Sequence, residues 1–451
     1  MLQFIKSNSF ISILLFIAIG GTLAFMHIQQ VSTYFPWEIK NYLIGRKLNE
    51  GFRLYKDIRD NTGPFATGFY QFLDFFSISI QSNPYISFLL ISIQAYIFHK
   101  TITDFDLMPK LGGLAFGIYI LLFQLTNEFY VPDPSLLGLT FLLLAWKEII
   151  QQQKTLLVND RVFLVGIYLA TATLFFPAYF WLLPWSIISL LFFSGITIRQ
   201  VILVLIGFLI VLTVTSIVFL FRGNLTYLIQ VFRNSAFEFQ LISWEEMKKV
   251  LSSFAPAILI GIWGLYKVVG NPKIRAHAQK AQQTTIIWFF FSFIAITNFP
   301  SYHRINFVLL LPPLAYFGLN LFYLIKKNWQ KEVLFISLLS IIFITNQQDT
   351  NPSPSKIKIP INGQKLLILG PEIEEYLHNE MAGPFVNWDL AKPLLSQLNS
   401  YKNVITVQEY FEKDQPKYIY DSEGYFLKIG QHLPSITQQY VLVGPKLYRK
   451  K

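Results

Sequence analysis

The chain has 451 residues, of which 53% are hydrophobic, 17% aromatic and only 14% charged. Soluble domains carry about 25% charged residues, so the polar side chains are too few to cover a water-soluble core of this size, which excludes ordinary cytosolic enzymes as well as disordered and fibrous chains. The formal charge of +11 sits at the ends of apolar segments rather than on one polar stretch, which argues against nucleic acid, and the absence of cysteine excludes disulfides, thiolate zinc sites and thiol catalysis.

In chain order, about eleven apolar runs approach the roughly 20 residues that a transmembrane helix needs. They are 9–27, 84–99, 111–127, 135–150, 162–178, 179–195, 198–221, 250–268, 284–299, 305–325 and 332–346. No small-residue cleavage site ends the first run, so it reads as a retained span. Pro177 and Pro184 break the stretch 162–195 into two helices joined by a tight turn at Phe176–Phe180. One alternating set of short loops holds Lys6, Lys100, Lys110, Lys147, Lys154, Arg161, Arg199, Lys267, Lys273, Arg275, Lys280, Lys326, Lys327 and Lys331. The other set holds Glu128 and Asp133 without a base, the uncharged 176–180 turn, and Arg304 alone in 298–305. This bias places the N-terminus in the cytoplasm and, with an odd number of spans, the C-terminus on the far side.

The long segments 28–83, 222–249 and 347–451 then all lie on that far side. The tail opens with the linker Asn351–Ser355, followed by a buried strand at Lys365–Gly370. Helices are predicted at 372–381 and 388–398, and strands at 404–407 and 418–421. The expected architecture is an all-α polytopic membrane bundle of about eleven helices over 1–346, with a large first loop at 28–83, and a small C-terminal α/β domain over 347–451 on the extracytoplasmic side. Trp181, Trp185 and Trp244 read as residues of the interfacial aromatic belt. Many Ile, Phe, Lys and Asn residues suggest a bacterial inner membrane.

The first loop carries the densest mixture of charges. Over Tyr34–Asn49, Trp37, Tyr42 and Ile44 alternate with Lys40, Arg46 and Lys47 at helical spacing, as in an amphipathic helix lying on an anionic membrane surface. Two runs then stand out: Glu38-Ile-Lys-Asn-Tyr42, and Gly51-Phe-Arg-Leu-Tyr55-Lys-Asp57-Ile-Arg-Asp60-Asn-Thr-Gly-Pro64. Together they resemble the first extracytoplasmic loop of GT-C-type glycosyltransferases, in the branch of protein O-mannosyltransferases and aminoarabinose transferases. That family shows an acidic residue soon after the first span and a run of the form Gly-x-x-x-Tyr-x-Asp-x-x-Asp-x-x-x-Pro. The chain departs from it at two places: Glu38 stands where Asp is usual, and Thr62-Gly63 where many members carry Lys.

The resemblance implies transfer of a hexosyl or pentosyl unit, with inversion, from a polyprenyl-phosphate donor to a lipid, protein or glycan acceptor. Such chemistry needs a carboxylate to take the acceptor proton and cations to hold the departing lipid phosphate. Glu38 is the first candidate for the carboxylate, with Asp57 and Asp60 beside it. Arg304, His303 and Tyr302, with Lys56 and Arg222, are the candidates for the phosphate. Asp133 lies where a short loop caps such a site. No cofactor is expected, the scattered histidines form no metal cluster, and a divalent ion between Glu38 and Asp57 has no further support in the sequence. Each candidate also has a structural alternative: Glu38 paired with Lys40 or Lys47, a solvated loop for Asp57 and Asp60, span-end anchors for His303 and Arg304, and a helix cap for Asp133. The departures from the motif favour the alternative of a non-enzymatic component of envelope assembly that keeps a GT-C-like fold. A transporter fits less well, for lack of mid-span charge and internal repeats.

Overall fold

The computed structural model describes residues 9–30, 33–108, 111–154, 159–237, 239, 242–269, 274–298, 303–348 and 359–451. Each apolar run coincides with helix: Ser9–Gln30, Asn83–Asp104, Leu114–Leu122, Pro134–Lys154, Asn159–Phe175, Leu182–Ser194, Ile198–Phe221, Trp244–Val268, Ala276–Ile296, Leu311–Leu324 with the 3-10 segment Arg304–Leu310 before it, and Asn328–Gln348. Among the described residues, five stretches are long and apolar enough to cross a membrane: Ile80–Asp104, Pro177–Ser194, Ile198–Phe221, Trp244–Val268 and Arg304–Leu324. The chain is a multi-pass membrane protein. In an apolar medium every backbone polar group must be bonded internally, so even the β-branched run Ile198–Phe221 is helical. Its Thr215 hydroxyl donates to the Val211 carbonyl at 2.9 Å, the same economy at side-chain level.

The stretch 162–195 divides at its prolines. A helix ends at Phe175, a 3-10 turn runs Pro177–Trp181, and the next helix ends on Gly195, whose φ of +64° suits glycine. Trp185 differs from the expected belt residue. It is fully buried, its indole N–H donates to the Thr284 carbonyl at 2.9 Å, and its ring packs tilted against Trp288 with centroids 5.0 Å apart. Close helix packing rests on small residues: a Cβ added to Gly264 would stand 1.9 Å from the Phe317 carbonyl oxygen, so the helix Trp244–Val268 meets Leu311–Leu324 backbone to backbone there.

The chain forms two compact units. The membrane unit comprises Met1–Val31, Gln81–Val218 and Phe232–Thr350; the second comprises Ser32–Ile80, Phe219–Val231 and Asn351–Lys451. The first loop therefore belongs to the same compact unit as the tail.

In the second unit a five-stranded sheet has the order β2-β1-β3-β5-β4, built from β1 Lys365–Leu369, β2 Glu380–Met381, β3 Tyr418–Asp421, β4 Tyr440–Gly444 and β5 Leu447–Lys450. β1 pairs in parallel with β2 and β3, with Leu367 opposite Ile419, and is buried along nearly its whole length, as an unbroken apolar run demands. β5 returns antiparallel to β3 and pairs with β4. Three details correct the sequence reading. The segment 372–381 is not one helix but a 3-10 turn Ile373–Leu377 followed by β2. The segment 404–407 is not a strand: it lies within the helix Tyr401–Lys413, because Val404, Val407 and Phe411 recur at helical spacing and share one core face. The strands β4 and β5 were not foreseen.

Candidate functional site

In the second unit, the extended residue Phe35 and Pro36 at the first helical position open the helix Pro36–Asn49. Glu38 in its first turn and Arg46 and Lys47 in its last complement the helix dipole. This helix is not a surface element. Glu38, Ile39, Asn41, Leu43, Ile44, Gly45 and Lys47 are all buried, and a Cβ on Gly45 would stand 2.4 Å from the Tyr70 carbonyl oxygen of the helix Pro64–Phe75. Its cations act inside the protein: Lys40 binds Asp60 at 3.1 Å, and Lys47 binds Asp414 at 3.0 Å and Glu50 at 2.8 Å.

Glu38 is 5% exposed, and its Oε2 accepts from the Phe35 amide at 3.4 Å. Its chain neighbours Phe35 and Trp37 stack with centroids 4.5 Å apart.

The motif carboxylates bind the loop to the tail. Asp60 Oδ1 accepts from Lys40 at 3.1 Å and from the Asn387 amide at 3.2 Å, while Oδ2 accepts from the Thr62 amide N–H at 2.8 Å. Burial raises the affinity of Asp60 for a proton, but Lys40 and Thr62 outweigh it and hold the carboxyl below the usual range. Asp57 accepts from Lys413 at 2.5 Å and from the Arg53 side chain at 3.0 Å; burial again opposes the charge, and Arg53 with Lys413 again holds the carboxyl low. Between them, the Arg59 amide donates to the Pro384 carbonyl at 3.0 Å and its guanidinium to the Leu390 carbonyl at 2.8 Å. Carboxylates held low, Asp57 by two cations and Asp60 by one cation and two amides, are weak bases at neutral pH.

Tyr55 takes the left-handed φ of +64° and donates to the Thr62 carbonyl at 2.6 Å. Burial, and secondarily Asp60, push its hydroxyl well above the ordinary value, so it stays a proton donor. The same turn brings two phosphate candidates onto adjoining segments. Tyr55, next to half-buried Lys56, stacks on Phe219 at 5.9 Å, and Asn224 donates to the Leu54 carbonyl at 3.3 Å, with exposed Arg222 between Phe219 and Asn224.

The remaining candidates belong to the membrane unit. Arg304 Nε donates to Glu128 Oε1 at 2.8 Å and its Nη1 to Ser253 Oγ at 3.3 Å, while Glu128 Oε2 accepts from the Ile305 amide at 3.0 Å. His303 precedes this turn and its carbonyl accepts from the Asn306 amide. Tyr302 lies outside the described residues. Asp133 accepts from the Ser135 amide at 2.8 Å and hydroxyl at 2.6 Å, capping the helix Pro134–Lys154. Glu128 is the residue that sequence reasoning missed. The signal was two acids, Glu128 and Asp133, without a base in one short loop and one base without an acid in another. Replacing Glu128 with Ala removes the carboxylate 2.8 Å from the part-buried Arg304, and thermal unfolding in detergent should show a loss of about 2 kcal/mol, against no change for exposed Asp160→Ala. Among the described residues no three His, Asp or Glu side chains are grouped as a metal site requires.

The fold is GT-C-like. It is similar to the structure of ArnT from Cupriavidus metallidurans bound to undecaprenyl phosphate, with TM-score 0.58, 10% identity and 97% of each chain covered. It also matches, at TM-score 0.49 and 13% identity, the Archaeoglobus fulgidus oligosaccharyltransferase tethered with an acceptor peptide containing the NVT sequon, covering 90% of this chain and 68% of that one. No curated protein matches the sequence. Residues 69–349 match the family of unknown function DUF6427, and the chain belongs to that family.

Proposed function

We propose that the chain is an integral-membrane glycosyltransferase that moves a sugar from a polyprenyl phosphate to an acceptor hydroxyl on the extracytoplasmic face. The observation that carries this reading is the match, over 97% of both chains, to a fold whose solved example holds undecaprenyl phosphate. In the proposed step the acceptor oxygen attacks the anomeric carbon, its proton passes to a carboxylate, and the bond to phosphate breaks with its electron pair left on the lipid phosphate. Glu38 is assigned the proton as the buried carboxyl that opens the first-loop motif, in the first turn of the helix Pro36–Asn49. In the second unit, which also holds Glu38, the lipid phosphate is assigned to Lys56 and Arg222; Arg304, oriented by Glu128, with His303 and Tyr302, is the alternative set, in the membrane unit.

A second reading, a non-enzymatic component of envelope assembly, is favoured by one observation: both motif aspartates serve as ties between loop and tail. Purified protein in detergent, incubated with a panel of polyprenyl-phosphate sugars, separates the two. Release of polyprenyl phosphate above a boiled control supports transfer. If no donor is consumed, while Glu38→Ala and Arg304→Ala cells keep a wild-type envelope and deletion of the tail after Gln347 destroys it, the second reading stands.

A further inference from the structure

The hairpin β4–β5 at the edge of the sheet carries an unusual distribution of side chains. Strands alternate their faces, yet Val441, Leu442 and Val443 are all exposed, at 47%, 59% and 47%. They escape the alternation because β4 is the last strand in the sheet order and its register shifts between Leu442 and Gly444. The anchor of the strand is ordinary: Tyr440 is buried and its hydroxyl donates to the Pro416 carbonyl at 2.8 Å. Natural edge strands are normally blunted by charge or proline. Here the charge stands instead on the turn and the paired strand, as Lys446, Arg449, Lys450 and Lys451, and no Asp or Glu occurs from Gln438 to Lys451. Lys446 donates to the Ser422 carbonyl at 2.7 Å and Lys450 to the Gln415 side chain; among the described residues none of the four cations forms an ion pair.

We infer that this hairpin docks on an anionic lipid surface, its three apolar side chains entering the headgroup boundary and its cations meeting lipid phosphates. An apolar tip flanked by uncompensated cations is the chemistry of interfacial binding. A bilayer is also within tether range: only 349–358 separate the apolar helix Asn328–Gln348 from the described tail, on the order of 40 Å of chain at full extension. The inference does not depend on the proposed reaction.

The chain lacks cysteine, so single labels are simple to place. Full-length Leu442→Cys and Ile405→Cys, the latter on the exposed side of the helix Tyr401–Lys413, are labelled with a bimane and reconstituted in bilayers containing doxyl-lipid quencher. One bilayer is phosphatidylcholine alone; the other contains phosphatidylglycerol. The Leu442 label should be quenched more than the Ile405 label, and more in the anionic bilayer. Arg449→Gln and Lys451→Gln should each weaken docking on the order of fivefold, the equivalent of about 1 kcal/mol per basic residue. Unchanged thermal midpoints show that the variants are folded. Equal quenching at both labels, equal quenching in both bilayers, or quenching that tracks protein density or an added acidic protein instead of anionic lipid overturns the proposal.

Discussion

Glu38→Gln should lower the rate of sugar transfer on the order of 10²- to 10⁴-fold, the usual worth of a positioned general base. The substitution is chosen because it spares structure. Glu38 sits at the third helical position and its side chain reaches back to the Phe35 amide at 3.4 Å. Gln serves that backbone contact as well as Glu does, so the melting temperature should stay near wild type and donor binding should persist. Glu38→Ala removes the contact too and should add a loss of about 1 kcal/mol in stability. The readouts are steady-state transfer, donor binding and thermal unfolding on the same preparations. A Gln variant that transfers sugar like wild type removes Glu38 as the assigned base.

Asp414→Asn should be the most damaging single substitution in the second unit. Asp414 accepts from Lys365 at 2.5 Å, from Lys47 at 3.0 Å and from the Gly383 amide at 2.9 Å, and the Lys47 side chain is only 3% exposed. Losing the carboxylate leaves the buried Lys47 ammonium with Glu50 as its acid partner, which should cost about 3 kcal/mol, the lower end for a broken buried pair. Adding Lys47→Met should recover part of that loss. Limited proteolysis of the tail and thermal unfolding both report it. The pH profile gives a second check. Burial pushes the Asp414 carboxyl up, but Lys365, the Gly383 amide and Lys47 outweigh it and hold it below the ordinary 3.8. A carboxyl lowered on folding contributes stability that is fully present above its unfolded value and is lost as pH falls through its folded value. Wild type should therefore keep this contribution from neutral pH down to about pH 4, and Asp414→Asn should flatten the acid limb below it. An unshifted acid limb in the variant would assign acid lability to other groups, Asp57 and Asp60 among them.

The helices of the membrane unit were legible because apolar length and proline position are local signals. The break at Pro177 fell where the sequence placed it. The strands β1 and β3 were legible as short apolar runs, whereas Val404–Val407 looked like a strand over four residues and declared its helical period only once Phe411 was included. The edge strand β4 escaped because its register is set by β5, not by an alternating pattern of its own. For the site, the types of residue in the first loop were readable but their partners were not. Asp57 is tied to Lys413, Asp60 to Asn387, and Glu128 to Arg304, 176 positions away. No local spacing encodes such pairs. The amphipathic pattern of Pro36–Asn49 was real, yet its polar side faces buried acids instead of lipid headgroups.

The second unit is assembled from three stretches of chain, and its Lys47–Asp414 pair spans 367 positions. During synthesis the opening stretch leaves the ribosome long before its partners exist, so it must wait with an unmet lysine and an open apolar helix face until the last hundred or so residues emerge. Nascent chains halted ahead of residue 414 should thus present the first loop to proteases and chaperones, and only termination should silence it. Quality control of this protein is in that sense a check on whether its far end has arrived.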